Sequence, residues 1–313
     1  MKFIRNESLD PYYNLAFEEY CFEHLCLEGD FFIIWRNSPS IIVGSHQNVF
    51  EEVNHPLVKE TNIPVVRRIS GGGTVYHDPG NVNFSFIFST DEHFNIDYRG
   101  HNQLIVNALS AMGIDAEMSE RNDLTYKGKK ISGNAQRIIK KRVIHHGTIL
   151  YDANLDQLEA LIRPSMNKIE SKAIQSVRSK VINIKPYVNL KVNTVETFAD
   201  EMIRVLSRSY ECEELFVDED DLNGINELAH GKYRSWQWNY GESPKFSYQN
   251  RLETESGLLS IDLAVKKGRI ERGHLTGVRH MGTVTLDGVE YRMDSILEAC
   301  PFLSEAEVMK VFF

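Results

Sequence analysis

The chain has 313 residues, enough for one large or two modest domains with an ample core, and its 42% hydrophobic and 25% charged content is ordinary for a soluble globular protein. A formal net charge of −9 argues against general nucleic-acid binding, which relies on a basic surface. No apolar run approaches the roughly 20 residues that span a bilayer, and the opening MKFIRNESLD carries no signal-peptide core, so a cytoplasmic protein with no nucleic-acid or membrane partner is expected.

Asp10-Pro11 opens the first helix: an acidic N-cap, then proline at the first helical position. The spacing of Leu15, Ala16, Tyr20, Phe22 and Leu25 predicts a core-packed helix over residues 11–27. Residues 31–35 and 40–44 read as strands joined by the turn Asn37-Ser38-Pro39. Further strands are expected at 65–70, 81–89, 123–126, 130–136 and 143–151, and helices at 98–112, 155–162 and 195–209. Together they predict a mixed β-sheet with helices packed around it, an α+β fold. The acidic run 211–221 reads as a solvated loop or a helix end, and residues 233–244 close a first domain, 1–245. Beyond it, 258–265 and 269–275 flank the turn Lys266-Lys267-Gly268 as a hairpin. With helices over 293–300 and 304–311, that hairpin predicts a small α+β second domain, 246–313.

The four cysteines (Cys21, Cys26, Cys212, Cys300) form no CxxC and no zinc spacing, which fits free thiols in a reducing compartment. None falls between residues 27 and 211, the span that holds every motif below.

The most informative stretch is Arg67-Arg68-Ile69-Ser70-Gly71-Gly72-Gly73-Thr74-Val75-Tyr76-His77-Asp78. Adjacent glycines let backbone amides converge into a nest for an anion, and paired arginines beside them offer fork-shaped charge for phosphate or carboxylate. A flexible surface turn is the rival reading of three glycines alone. No Gly-Lys-Ser/Thr follows, so this is not a Walker loop, and the spacing is not that of a dinucleotide fingerprint.

The block RRISGGGTVYHDPGNVNFSF resembles the signature of lipoate–protein ligases, within the group that includes biotin ligases and octanoyl transferases. Arg121-Asn122-Asp123-Leu124 with Lys129-Lys130-Ile131-Ser132-Gly133-Asn134-Ala135-Gln136 resembles the family's lysine motif, and His145-His146-Gly147-Thr148-Ile149-Leu150 follows at a family-like distance. Asn14-Leu15-Ala16-Phe17-Glu18-Glu19, Trp35-Arg36-Asn37 and Ser176-Val177-Arg178-Ser179 extend the likeness from about residue 5 to residue 245. One departure is Gly44-Ser45-His46-Gln47-Asn48, where the family often has arginine at the Ser45 position.

The resemblance implies a biotin/lipoate-ligase fold and an enzyme that uses ATP and Mg²⁺ to activate lipoate (or octanoate) as an acyl-adenylate. The acyl group would then pass to a lysine of a lipoyl domain, such as that of a 2-oxoacid dehydrogenase E2 subunit, or of the glycine-cleavage H protein. Lys130 aligns with the family's active-site lysine, a compact ammonium suited to a carboxylate and an α-phosphate; an exposed strand-end lysine is the rival reading. Arg68, Ser70 and Gly71, Gly72 and Gly73 are expected to cradle the acyl carbonyl and phosphates, with Thr74, Val75 and Tyr76 lining the nucleotide. Trp35, His77, Gly133 and His146 are expected around the acyl group, although core packing explains tryptophan and histidine at such positions nearly as well. Asp123 is expected to hold Mg²⁺ or the adenosine, with turn capping as its alternative. Between Leu124 and Tyr151 lie seven Lys/Arg and no Asp/Glu, a stripe that reads either as a steering surface for an acidic acceptor or as a solvated hairpin face. The same-fold alternative is a transferase acting through a cysteine thioester, or without one from an acyl carrier; the thioester route requires a cysteine at the acyl pocket.

Overall fold

The computed structural model describes residues 1–25, 29–89, 97–162, 168–177, 179–189, 192–255, 257–277 and 282–313. A six-stranded mixed sheet runs in the order Asn134–Ile139, Arg142–Leu150, Asn81–Ser89, Phe31–Trp35, Lys2–Arg5, Glu213–Glu214. Its first four strands are antiparallel neighbours; Lys2–Arg5 pairs in parallel on both sides. The strand Phe31–Trp35 explains why the sheet is covered on both faces. Phe32 and Ile34 point into the core under the helices Tyr98–Ala111 and Val195–Ser209, whereas Phe31, Ile33 and Trp35 point toward the helix Pro11–Glu23. A strand that is apolar at every position belongs in the middle of such a sandwich.

The helix Pro11–Glu23 starts where the sequence placed it, with the Asp10 carboxylate accepting from the Tyr12 amide at 2.9 Å. Substituting such an N-cap by alanine typically costs about 1 kcal/mol. It ends earlier than expected, and Cys26 lies outside the described residues. This helix also buries polar side chains, Asn14, Glu18 and Glu19, on its inner face. A small sheet of Val65–Arg67, Ser40–Val43 and Val75–His77 carries the glycine block in its last connection.

Several local expectations change. Residues 130–136 are two strands rather than one: Lys129–Ser132 pairs with Leu124–Tyr126, and Asn134–Ile139 enters the large sheet. Gly133 is the corner between them, and a Cβ there would lie 3.0 Å from Lys130 Nζ. The run 65–70 leaves strand geometry after Arg67, where the chain turns to form the glycine loop. The acidic run is partly ordered. Glu213–Glu214 pairs with Lys2–Arg5, and Asp218 caps the helix Glu219–Leu228 with a capping box to Asp221. The C-terminal hairpin Gly257–Lys266 and Arg269–Thr276 sits in a five-stranded sheet ordered Lys168–Ser171, Phe246–Thr254, Gly257–Lys266, Arg269–Thr276, Val284–Thr285. The strand Phe246–Thr254, which sequence reading did not separate, and Lys168–Ser171, contributed from far upstream, complete it. Helices Met293–Ala299 and Glu305–Phe312 close its core, into which Phe50 inserts from the short helix Val49–Glu52.

Candidate active site

Two cavities meet at Lys130. The inner one, of about 340 Å³, is walled by Leu15, Trp35, Ile42, Arg68, His77 and His146. The outer one, of about 800 Å³, is walled by Val75, Tyr76, Lys129, Leu150, Leu155 and Ile162. Thr74, Val75, Lys130, Gly133, Thr148 and Ser176 face both.

The inner wall is held by a chain of buried hydrogen bonds. Trp35 Nε1 donates to Ser85 Oγ at 2.9 Å, and Ser85 Oγ donates to Glu18 Oε1 at 2.5 Å. Glu18 Oε1 also meets His146 Nδ1 at 2.7 Å, while His146 Nε2 meets Ser70 Oγ at 2.5 Å. A carboxylate only accepts, so Nδ1 of His146 carries a hydrogen. Burying a carboxylate is costly without hydrogen-bond donors, and His146 and Ser85 both supply them to Glu18 Oε1. Arg68 Nε donates to the same Ser70 Oγ at 3.0 Å. Trp35, His146 and Arg68 thus belong to one network, although 111 residues separate the first two in sequence.

The arginine pair divides. Arg68 lines the inner cavity, and its Nη2 donates to the carbonyls of Gly71 and Gly73 at 2.6 and 2.8 Å. It therefore shapes the glycine loop from inside. Burial lowers its pKa to about 10, which leaves it a cation at neutral pH. Arg67 faces the opposite way and is fully buried, donating to the carbonyls of Gly44, Gln47 and Asn239 at 2.9, 2.8 and 3.1 Å and to Ser243 Oγ at 3.1 Å. The expectation that both arginines flank an anion nest is corrected: Arg67 is a structural tie between the strand Val65–Arg67 and the turn Gln237–Gly241.

Within the loop, Gly72 has φ of +89° and its carbonyl packs against Gly44, where a Cβ would stand 2.2 Å from that oxygen. Ser45 is held by its amide, which donates to the Ser70 carbonyl at 2.9 Å. The Thr74 amide donates to Ser176 Oγ at 2.8 Å. Ser70 and Gly71 lie behind the loop and line neither cavity, whereas Gly72 and Gly73 line the inner one. Tyr76 faces the outer cavity with its hydroxyl on Gln157 at 2.7 Å.

Asn14 donates to Asn37 Oδ1 at 2.8 Å, so Asn37 Nδ2 is the group presented to His77 Nδ1 at 3.0 Å. That places the ring hydrogen of His77 on Nε2, a buried atom with no partner among the described residues. Burial first, then the nearby Arg68 and His146, lower the His77 pKa to about 3, so the ring is neutral at physiological pH. His77 also stands edge-on to Trp35, ring centroids 6.1 Å apart.

Lys130 Nζ pairs with Asp123 Oδ1 at 2.9 Å. Its backbone is fixed by Lys180 O, which accepts from Lys130 N at 2.9 Å, and by Ile182 N, which donates to Lys130 O at 3.0 Å. Among the described residues no three His, Cys, Asp or Glu side chains group as metal ligands. Asp123 is one hard oxygen donor, lining the inner cavity beside Lys130, and a single carboxylate suits Mg²⁺ that arrives on phosphates and keeps most of its waters. Sequence reasoning missed Glu18, Glu52 and Ser85 as site-building groups and gave Ser176 no role of its own. Glu18 stood in the block Asn14-Leu15-Ala16-Phe17-Glu18-Glu19 without a role of its own and Glu52 in no motif, and only burial distinguishes them. None of the described cysteines lines either cavity; Cys21 and Cys300 are buried in cores.

A mixed sheet with helices packed around it, carrying two cavities that meet at Lys130, fits the biotin/lipoate-ligase class of fold. Residues 10–207 match the lipoyl protein ligase A/B catalytic domain. Lipoate–protein ligase 1 of Staphylococcus aureus is 41% identical over 278 residues, covering 88% of this chain and 84% of that protein. A Thermoplasma acidophilum protein solved with bound lipoic acid superposes with a TM-score of 0.65 at 26% identity, covering 77% of this chain and 98% of that one. A lipoate-protein ligase A solved with bound ATP gives the same TM-score, 0.65, at 26% identity and the same coverage, 77% and 98%. The chain belongs to the lipoate–protein ligase family.

Proposed function

We propose that this protein is an ATP-dependent lipoate–protein ligase that activates free lipoate as lipoyl-AMP and transfers the lipoyl group to a lysine of an acceptor protein. The observation that carries the reading is the meeting at Lys130 of a smaller inner cavity, where Leu15, Trp35 and Ile42 share the wall with Arg68, His77 and His146, and a larger outer one. An alkyl chain with its dithiolane suits the first, and a nucleotide suits the second. A carboxylate cannot acylate an amine at neutral pH because its leaving group is poor. In adenylation a lipoate carboxylate oxygen bonds to the α-phosphorus of ATP, and the bond from that phosphorus to the bridging oxygen breaks to release pyrophosphate. In transfer the acceptor amine attacks the acyl carbon, loses a proton, and AMP departs.

Lys130 is assigned the central role in both steps, as the fixed cation beside the charge that develops on phosphate and then on the acyl oxygen. Arg68, Gly72 and Gly73 shape the wall around the carboxyl end, while Thr74, Val75 and Tyr76 line the nucleotide. Ser70 and Gly71 act from behind that wall. Trp35, His77, Gly133 and His146 enclose the acyl group. Mg²⁺ with Asp123 would neutralise phosphate charge. Acceptors are assigned to the lipoyl domains of 2-oxoacid dehydrogenase E2 subunits or to the H protein, approaching over the basic stripe around Lys127 and Lys129. A cytoplasmic location and a division into residues 1–245 and 246–313 belong to the same reading.

The rival is an octanoyl or lipoyl transferase fed by an acyl carrier. Intact mass of an apo lipoyl domain, incubated with the protein, lipoate and Mg²⁺, separates the two. A lipoyl-sized gain that requires ATP is expected. Transfer from an acylated carrier without ATP, and none from free lipoate, would overturn the reading.

A further inference from the structure

Ten residues far from the C-terminal sheet in sequence belong to it in space. The segment 168–177 begins as the edge strand Lys168–Ser171, paired antiparallel with Phe246–Thr254 through Ile169↔Tyr248 and Ser171↔Phe246. It ends at Ser176 and Val177, which line both cavities. Between those ends it is fastened mainly to one short helix, Val49–Glu52. Ser171 Oγ donates to Glu51, Ser176 Oγ donates to Glu52 Oε2, and Ser176 N donates to Glu52 Oε1 at 3.1 Å. The Ile174 amide adds a bond to the His46 carbonyl at 3.3 Å.

Ser176 Oγ is the meeting point of three segments. It accepts from the Thr74 amide at 2.8 Å and from Gln47 Nε2 at 3.1 Å. Gln47 Oε1 in turn accepts from the Gly44 amide and the Thr74 hydroxyl, each at 2.9 Å. Glu52 is buried, and the Ser176 amide and hydroxyl supply donors to both of its oxygens. Its neighbour Phe50 turns the other way into the C-terminal core, 5.4 Å from Phe246 and 4.8 Å from Tyr291 between ring centroids. One turn of helix therefore grips the C-terminal sheet with an aromatic ring and the cavity mouth with a carboxylate.

We propose that residues 168–177 are a strap joining the mouth of the two cavities to the C-terminal sheet, and that Glu52 is the positioning residue that latches the strap onto the glycine loop through Ser176. The substrate part of this inference rests on the ligase reading above. The latch sets how the mouth presents Ser176 and Val177 to a bound nucleotide and acyl group, so its loss weakens binding of both while leaving Lys130 in place.

Ser176→Ala and Glu52→Gln test it, read first by trypsin cleavage after the exposed Lys172 in the full-length protein without substrate. A bond to a buried carboxylate restrains local opening, so cleavage in the variants is expected to accelerate roughly tenfold while global unfolding moves little. Ser176 is only half-buried, and that variant keeps the test open if Glu52→Gln fails to fold. Cleavage of Ser176→Ala at the wild-type rate would overturn the latch. In the ligation assay the KM for ATP and for lipoate should rise about tenfold, with kcat within about twofold. Faster cleavage with unchanged KM would overturn the positioning role. A wild-type protein that does not ligate would sink the proposed function instead, and the cleavage rates would still decide the latch.

Discussion

The inner cavity and its mouth are built from opposite materials. Trp35, Arg68, His77 and His146, which wall the interior, are at most 7% exposed, and Trp35 Nε1, the Arg68 guanidinium and both ring nitrogens of His146 are hydrogen-bonded to other residues of the chain. At the mouth, Val177 is 63% exposed and Ile174 51%, and the connection to the scaffold runs through a few serine hydroxyls and backbone amides. A buried, fully paired polar network has one low-energy arrangement, because breaking any member strands the others without water. An exposed strap with a few bonds opens at small cost. The contrast places shape selection of a small acyl group where the protein is stiffest. The nucleotide and the acceptor protein, which must come and go, meet the part that yields.

The largest effect that sharpens this contrast is at Arg67, which lies behind the interior wall and lines neither cavity. Arg67→Ala leaves several buried carbonyls and Ser243 without their donor, and a loss of about 3–5 kcal/mol in urea unfolding is expected. The fraction that remains folded should show wild-type KM values; a selective rise in the KM for ATP with unchanged stability would return Arg67 to the anion site. Next comes the junction itself. Lys130→Ala should reduce lipoate-dependent pyrophosphate exchange by roughly 100- to 1000-fold, the scale of losing one preorganised electrostatic partner of the transition state. Its partner Asp123 and the strand pairing remain, so the unfolding midpoint should scarcely move. Near-normal exchange would remove the lysine from the chemistry.

Two buried histidines carry a pH signature, His77 in the interior wall and His55 packed against Phe50 and Phe313. His77 and His55 are buried with pKa values lowered to about 3 and about 4, in both cases chiefly by burial. Unfolding exposes them to water, where histidine titrates near 6.5, so below that value the unfolded chain binds more protons and stability falls with pH. The contribution is complete above about pH 6.5 and disappears progressively toward the folded values, a loss of about 2 kcal/mol per histidine between pH 7 and pH 5. Urea unfolding at the two pH values measures it. His77→Gln, which removes one of the two groups, should flatten the dependence by about half of their joint contribution, provided the neutral amide keeps its bond to Asn37.

The sequence was most legible where chemistry is local. The apolar run of Phe31 to Trp35, the Asp10-Pro11 start, the glycine loop and the helix Val195–Ser209 all follow from neighbouring residues, and the structure has them there. Gathering Trp35, His77, Gly133, His146 and Lys130 around one pair of cavities agrees with the motifs' order. Long-range pairing was not legible. Nothing near Lys168 announces that it will become an edge strand of a sheet built from residues after 246, and Gly133 looks like any strand glycine until two sheets are seen to diverge there. Charge was the other blind spot. Arg67 and Arg68 read alike in sequence, and the alternation of the strand Val65–Arg67 with the turn after it sends one into the scaffold and the other into the cavity.

The smallest effect tests the mouth. Val177→Ser removes an exposed side chain, and a surface substitution of this kind normally changes stability by no more than about 0.5 kcal/mol. If the strap is a yielding mouth that closes on ligand, Val177 gains burial only when the cavities are filled. Covering part of a valine is worth on the order of 1 kcal/mol, so the KM for ATP or lipoate should rise about fivefold with no matching loss in thermal stability. The ratio of the two effects is the informative quantity. A drop of several degrees in Tm with unchanged KM would mean that Val177 is packed in the free protein, and the division between a stiff interior and a yielding mouth would fail at the residue where it is drawn most sharply.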